Sequence, residues 1–179
     1  MTRWRWLVMA DPVHGIMQFD RKDPVHRLML EAVNCGAFQR LRRVKQMGLA
    51  EFVFPGAVHT RFNHSLGAAY LMSKAIASFK YDRPSRDLLA SPYEDTGISL
   101  ECLLMMGILL HDVGHPPLSH TLEDVLELDA NGLSHDANWF QRILTEDAEL
   151  ADLWRRHDVP AMPGALQRFL GNAGTHKHF

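Results

Sequence analysis

The feature that most constrains this chain is an apolar run that ends abruptly in polar side chains. Residues 103–110 are apolar or glycine, and residues 111–115 read His-Asp-Val-Gly-His. A run of this length predicts a buried helix rather than a membrane span, which needs about 20 residues. The two prolines at 116–117 then stop the helix, because proline lacks the N–H that a further turn requires. The fold must therefore bury a helix that ends in metal-ligating side chains.

The polar end of this run indicates a cation site. His115 follows His111 by one helical turn, so the two imidazoles share a face if the helix continues. Polar side chains at the end of a buried helix are costly without a partner, and a divalent metal is a good one. A lone histidine there would more often be a hydrogen-bonded core residue. Further histidines among apolar helices, at His64, His120 and His135, favour the metal.

Length and composition limit the class of protein. At 179 residues, with 46% hydrophobic and 22% charged residues, the chain predicts one well-cored globular domain spanning 1–179. A formal net charge of −2 gives no bulk electrostatic reason to bind nucleic acid.

The cysteines and the N-terminus bear on location. Cys35 and Cys102 form neither a disulfide framework nor a Cys-x-x-Cys pair, which favours a reducing compartment. Residues 1–10 have no long apolar segment of the kind found in signal peptides. We therefore expect a cytoplasmic protein without a membrane partner.

Helical periodicity dominates the rest of the chain, so the predicted fold class is all-α. Short irregular or extended segments are expected near residues 9–20 and 50–56, with an extended stretch over 51–54 and a surface loop over 81–96. Predicted helices cover residues 24–33, 37–47, about 67–79, about 98 to the His-Asp doublet, 118–128, 135–144, 147–156 and 165–170.

Five short motifs occur in one order along the chain. They are Asp11-Pro-Val-His-Gly15, Phe38-Gln-Arg-Leu-Arg-Arg43, Phe54-Pro-Gly56, Arg61-Phe-Asn-His-Ser-Leu-Gly67 and His111-Asp-Val-Gly-His-Pro-Pro-Leu-Ser-His120. Together they resemble the HD-domain phosphohydrolases, in the deoxynucleoside triphosphate triphosphohydrolase branch that includes dGTPase-like and SAM-and-HD-domain enzymes. The resemblance covers about residues 10–140. It implies an HD-domain helical bundle, apparently the N-terminal portion of such an enzyme.

The resemblance implies a divalent metal ion held by three residues of this chain. His64 matches the first metal-binding histidine, and His111 with Asp112 matches the doublet that names the family. Such a mixed site suits Mn, Fe, Mg, Zn or Ni, and the sequence does not distinguish among them.

The family's fourth metal ligand is a distal aspartate, usually followed by tyrosine, and nothing after His135 resembles that motif. Asp147, Asp152 and Asp158 are candidates by chemistry alone, and acidic residues on solvated helix faces account for them equally well.

The same resemblance implies roles for six further residues at the substrate. Arg61 matches an arginine that contacts phosphates, a role that suits the guanidinium fork, and Gln46 matches a glutamine that meets the sugar. His115, His120 and His135 match histidines that line the triphosphate site. His120 is the implied acid or base, and Glu123, three residues further on, is its implied acidic partner.

Relatives of this kind also suggest regulation and assembly. The basic face around Gln39 and Arg42 corresponds in some of them to an allosteric nucleotide site, although Asn34 stands where those relatives have an acidic residue. Simple solvation explains the basic face equally well. The resemblance further implies a homo-oligomer.

The leading hypothesis is therefore a metal-dependent phosphohydrolase that converts deoxynucleoside triphosphates to deoxynucleoside and triphosphate. The missing distal aspartate keeps open a catalytically incomplete HD module that binds a nucleotide or a partner chain. A phosphodiesterase acting on nucleic acid would share the metal site, but the acidic net charge counts against it.

Overall fold

A computed structural model describes residues 4–117 and 135–173 of the chain. A β-hairpin of β1 (Trp6–Asp11) and β2 (Gly15–Asp20) precedes the helices. The helices are α1 (Pro24–Asn34), α2 (Gly36–Gln39), α3 (Arg61–Phe79), α4 (Arg83–Ala90), α5 (Leu100–Leu110), α6 (His135–Glu146), α7 (Ala148–Arg156) and α8 (Met162–Ala173). The all-α prediction is confirmed, and the hairpin occupies the segment predicted to be extended near residues 9–20.

The hairpin rests on the helices through one of its two faces. Met17 and Phe19 of β2 are buried, whereas Ile16 and Gln18 between them are exposed. This alternation is the two-residue period of a strand with one face on a core. The hairpin register pairs Met17 with Met9 and Phe19 with Leu7.

Side-chain caps fix where the long helices begin. Asp23 accepts hydrogen bonds from the backbone N–H groups of Val25 and His26 at the start of α1. Thr60 caps α3, and Ser99 caps α5 by accepting from the backbone N–H of Cys102. These caps satisfy N–H groups that have no partner inside a helix. They also set the phase of α3 and α5, the two helices that hold the candidate site.

Helix α5 lies at the centre of the fold, against α1, α3, α4 and α8. Its residues Leu103, Met106, Leu109 and Leu110 are completely buried. Each such side chain contributes about 1.5–3 kcal/mol relative to an exposed one. The buried apolar residues of the described ranges form one cluster, and the assignment of residues 1–179 to one domain stays a prediction.

The single helix predicted over residues 37–47 is wrong. The chain instead forms α2, then a 3-10 turn over Arg40–Arg43, and becomes extended at Val44. The backbone N–H of Arg61 donates to Val44 O at 2.8 Å, and that of Gln46 donates to His59 O at 3.1 Å. These long-range bonds use the backbone groups that a continued helix would have required.

Two predicted non-helical segments also fold differently. Of the stretch predicted as extended over 51–54, residues 51 and 52 end a 3-10 helix, Gly48–Phe52, and residue 53 follows in a turn. The predicted surface loop over 81–96 contains α4, whose N-cap Asp82 accepts from the backbone N–H of Ser85 at 3.0 Å. An acidic cap followed by proline in the first helical turn explains this helix.

The remaining helix predictions differ mainly at their ends. Those over 24–33, 135–144 and 147–156 are confirmed to within a few residues, whereas α8 is twice as long as the six residues predicted for it. The helix predicted over 118–128 lies outside the described residues. In the ranges that are described, no helix is both long and apolar enough to cross a bilayer.

The two cysteines are unpaired buried thiols. Burial raises the pKa of Cys35 to about 11 and that of Cys102 to about 12. Both therefore stay protonated near neutral pH and pack as small apolar groups. This state agrees with the prediction that the chain has no disulfide framework.

Candidate metal centre

Three predicted ligands come together where α5 ends beside α3. One ligand atom from each of His64, His111 and Asp112 lies within 4.8 Å of the others. The rings of His64 and His111 meet edge to face, with centroids 5.3 Å apart. Two imidazoles and one carboxylate at this spacing form a donor set that can surround a single divalent ion. Across residues 4–117 and 135–173, no other group of this kind has that spacing.

The end of α5 also orients the imidazole of His111. Nδ1 of His111 lies 2.8 Å from the backbone carbonyl of Ile108. A carbonyl only accepts, so Nδ1 carries the proton and donates, which leaves Nε2 with a lone pair. A hydrogen bond of this kind fixes the tautomer of many metal-binding histidines. Nε2 of His111 points toward Asp112, 3.4 Å from Oδ1.

Asp112 presents its two carboxylate oxygens to different partners. Oδ1 lies 3.4 Å from His111 Nε2 and 3.6 Å from His115 Nδ1. Oδ2 lies 2.8 Å from a terminal guanidinium nitrogen of Arg61, the first residue of α3. Asp112 and Arg61 are only 4% and 2% exposed. The carboxylate is therefore locked between the histidines and a buried positive charge.

The electrostatics keep His64 and Asp112 in their ligating forms near neutral pH. Burial lowers the pKa of His64, although the charge of Asp112 opposes this shift. Burial alone would raise the pKa of Asp112, but His111 and Arg61 outweigh it and hold the pKa below its usual value of 3.8. A neutral imidazole and an ionised carboxylate are the forms that bind metals. The donor set fits a divalent cation.

Comparison with known proteins shows which proteins this chain resembles. No protein-family model matches the chain. It is 39% identical over 116 residues to the deoxynucleoside triphosphate triphosphohydrolase SAMHD1 of Gallus gallus, and 40% identical over 102 residues to the putative HD domain-containing protein L394 of Acanthamoeba polyphaga mimivirus. It is also 39% identical over 115 residues to protein YwfO of Bacillus subtilis.

These matches cover 65%, 54% and 60% of this chain. Over this part of its length the chain is similar to HD-domain phosphohydrolases. It corresponds to only 17%, 22% and 24% of the length of the same three relatives. The predicted resemblance is confirmed, and the activity of the whole protein is a matter for proposal.

Two other predicted residues of the HD site lie within the described ranges. His115 is half-buried, and its backbone N–H donates to Asp112 O at 3.1 Å. Helix α5 ends at Leu110 and residues 111–114 form turns, so His115 reaches Asp112 through a turn and not along a continued helix. Gln46 is held by its backbone bond to His59, and among the described residues its buried Oε1 has no hydrogen-bond partner.

The remaining predicted residues fall into two groups, those that the structure does not describe and three aspartates that it does. His120 and Glu123 lie outside the described residues, and His135 is the first residue of α6, with a side chain that is not described. Asp147 caps α7, Asp152 pairs with Arg155 and Arg156, and Asp158 lies in the turn after α7. Within the described ranges, none of these three aspartates joins a metal-ligating group.

The structure adds two residues that the sequence analysis did not connect to the HD site. Arg40 donates to the backbone carbonyls of Val113 and His115. His14, in the hairpin turn, lies against α3 at Gly67, where an added Cβ would come within 2.4 Å of its Nε2. The motifs that contain both residues were visible in the sequence, but their contacts cross 53 to 75 residues of chain.

A cavity of about 510 Å³ lies against the turn that follows the HD doublet. Its lining includes Arg40, Gly114, His115 and Trp139. His115 therefore borders both this cavity and the carboxylate of Asp112, and Arg40 lines the same cavity.

Proposed function

We propose that this chain provides the metal-binding part of a phosphohydrolase that converts a deoxynucleoside triphosphate and water to a deoxynucleoside and inorganic triphosphate. The observation that carries the proposal is the convergence of His64, His111 and Asp112 within 4.8 Å. The similarity to SAMHD1, whose name states this activity, supports the choice of substrate.

In this proposal His64, His111 and Asp112 hold the divalent ion. When bound, such an ion supplies Lewis-acid charge to a phosphoryl oxygen and makes water a stronger nucleophile near neutral pH. The protein keeps Asp112 ionised through Arg61 and keeps His111 in one tautomer through Ile108 O. Phosphoryl transfer requires mainly positioning and charge neutralisation, and these contacts provide both.

The substrate side of the proposal uses residues at the edge of this cluster. Arg61 would contact the phosphates close to Asp112, since a guanidinium has five N–H donors and can bridge two acceptors. The buried amide oxygen of Gln46 offers an acceptor for a sugar hydroxyl. His115, His120 and His135 would line the triphosphate, and Glu123 would orient His120 as the acid or base.

The test is direct hydrolysis by the purified chain. Each deoxynucleoside triphosphate and its ribose counterpart is incubated with protein and Mn²⁺, and triphosphate and nucleoside are separated by ion chromatography. We expect triphosphate from deoxynucleotides, and none from His111→Gln. The matched control is His157→Gln, since His157 lies beyond α7, beside Glu31.

The competing function is a non-catalytic HD module, favoured by the absence of a second carboxylate, as fourth ligand, from the ligand group in the described ranges. A chain that binds Mn²⁺ stoichiometrically through His111 but hydrolyses no nucleotide would support that module and contradict the proposed activity. Release of nucleotides from single-stranded DNA in the same assay would instead support the phosphodiesterase alternative.

The proposal includes a cytoplasmic homo-oligomer with an allosteric nucleotide at Gln39 and Arg42. In the structure Arg42 donates to Gln39 Oε1 at 2.7 Å and lies over the ring of Phe62. Sedimentation with and without deoxynucleotides tests assembly and regulation together.

A further inference from the structure

The turn after α5 is short of backbone hydrogen-bond donors. The last carbonyls of a helix have no partner inside it, and they need donors from elsewhere. Here residues 111–114 form turns, and Pro116 and Pro117 follow, neither of which has an N–H to donate. Among the residues that the structure describes, the carbonyls of Val113 and His115 accept from a side chain in another part of the fold.

Arg40 supplies such donors from the 3-10 turn after α2. One terminal nitrogen of its guanidinium lies 2.9 Å from His115 O, and the other donates to Val113 O. The planar guanidinium thus bridges the two carbonyls on either side of Gly114, which a single ammonium group could not do with the same geometry. A positive charge near the end of α5 is also favourable for the helix dipole.

We infer that Arg40 is a positioning residue that holds the turn bearing Asp112 and His115 in its metal-ligating arrangement. The inference rests on the proposed function in one respect only, that this turn binds a metal ion. Arg40 acts through the backbone of its two partners. The sequence alone groups it with the basic face of residues 39–46, whereas the structure turns it inward.

The expected effect is local. Groups that orient metal ligands typically change metal affinity or activity by 10- to 100-fold when they are removed. We therefore expect Arg40→Lys, which keeps the charge but loses the fork, to weaken Mn²⁺ binding by about tenfold, and Arg40→Ala to weaken it by about 100-fold. Arg43 lies exposed in the same 3-10 turn. Arg43→Lys and Arg43→Ala are the matched controls and should bind Mn²⁺ like the wild type.

The experiment has two readouts on the full 179-residue chain. Free Mn²⁺ is titrated by electron paramagnetic resonance, and amide hydrogen exchange is followed by mass spectrometry with a chelator present. We expect peptides covering residues 111–117 to exchange about tenfold faster in both Arg40 variants, in proportion to a tenfold shift in local opening. Peptides from α7 should exchange as in the wild type, which a general loss of stability would not allow.

Chemical rescue separates geometry from charge. Because Arg40 and His115 line the cavity of about 510 Å³, methylguanidinium can enter the space left by Arg40→Ala. We expect it to restore Mn²⁺ affinity and slow exchange in Arg40→Ala, and methylammonium at the same concentration to restore neither.

Each outcome decides between the two claims. Unchanged Mn²⁺ affinity with unchanged exchange over 111–117, or faster exchange throughout the chain, would overturn the role of Arg40. A wild-type chain that binds Mn²⁺ but hydrolyses no nucleotide would refute the proposed function and leave this role intact. If the wild type binds no Mn²⁺, the local exchange readout alone supports or overturns the role.

Discussion

The metal-ligand cluster at the end of α5 and the ion-pair network between α1 and α7 are built from the same kinds of side chain. In the cluster, Asp112 pairs with Arg61 at 2.8 Å, and the two side chains are 6% and 3% exposed. In the network, Glu31 pairs with Arg156 and lies 3.1 Å from His157, with Glu31 and Arg156 33% and 52% exposed. Each combines a carboxylate, an arginine and a histidine.

The difference lies in burial and in the number of imidazoles. Water screens the α1–α7 network, whose charges are paired with one another and which contains one histidine. In the cluster only the Asp112–Arg61 pair is withdrawn from water, and two imidazoles, the exposed His64 and the half-buried His111, lie beside the carboxylate. A cluster of this kind costs free energy to bury, and an ion that satisfies the ligands offsets that cost. The residue types alone therefore do not identify a metal-ligand site; the burial of the carboxylate and the presence of two imidazoles beside it do.

The largest effect should follow from removing the buried cation. Arg61→Met leaves Asp112 ionised, buried and without its guanidinium partner, so we expect the free energy of unfolding to fall by about 3–5 kcal/mol. Urea unfolding with a chelator present measures this. The double variant Arg61→Met, Asp112→Asn should recover part of the loss because it also removes the charge. A decrease in the free energy of unfolding of less than about 1 kcal/mol would show that the Arg61–Asp112 pair contributes no more than an exposed ion pair.

The second largest effect should be the stabilisation of the fold by Mn²⁺, which we expect to depend on the cluster and not on the α1–α7 network. With Mn²⁺ at about 100 times its dissociation constant, the folded state gains about 2.7 kcal/mol, which raises the melting temperature. His111→Ala should lose this gain and His157→Ala should keep it. Thermal melts with Mn²⁺ and with chelator provide the measurement. An equal gain in all three proteins would place the ion outside the cluster.

Acid should act on the two regions in different pH ranges when no metal is present. The pKa of His64 is lowered by burial from its usual value of 6.5. Below pH 6.5 the unfolded chain therefore binds protons that the folded chain does not, so the free energy of unfolding decreases as the pH decreases. The pKa of Glu31 is also lowered, since its pairing with His157 and Arg156 outweighs desolvation. Its contribution is therefore lost only below the usual 4.5.

Unfolding free energies at pH 7.5 and 5.5 check this contrast. The difference between wild type and His64→Gln should change over this interval in the direction that weakens the wild type. The difference between His157→Gln and the double variant Glu31→Gln, His157→Gln should stay constant, because the histidine beside Glu31 is then absent from both proteins. A constant difference for His64→Gln would show that His64 titrates normally in the folded chain.

The smallest effect should come from the exposed network. Arg156→Met removes the arginine from Glu31 and Asp152, all of which are partly exposed, so we expect a urea midpoint within the scatter of repeated wild-type measurements. A midpoint shift comparable to that of Arg61→Met would remove the contrast between the two regions.

The metal ligands could be predicted from the sequence more accurately than the residues that hold them in place. The resemblance identified His64 and the doublet from short motifs in the first turn of α3 and directly after α5, and the packing of these two helices brings the three residues together. The extended path of Val44 and the inward turn of Arg40 depend on backbone partners 17 to 75 residues away, which periodicity does not encode. Helix α4 is different, because Asp82 and the proline after Arg83 are a local signal that was present and was assigned to a loop.

Position 67 has a consequence for the edge of the cluster. A methyl group on Gly67 would overlap the imidazole of His14, so any larger residue there forces that ring to swing away or lifts the hairpin from α3. Gly67 lies one turn beyond His64 on the same helix. Because position 67 carries no side-chain carbon, the hairpin turn can pack directly on α3 one helical turn beyond an exposed metal ligand, and a bulkier residue would separate the two elements there.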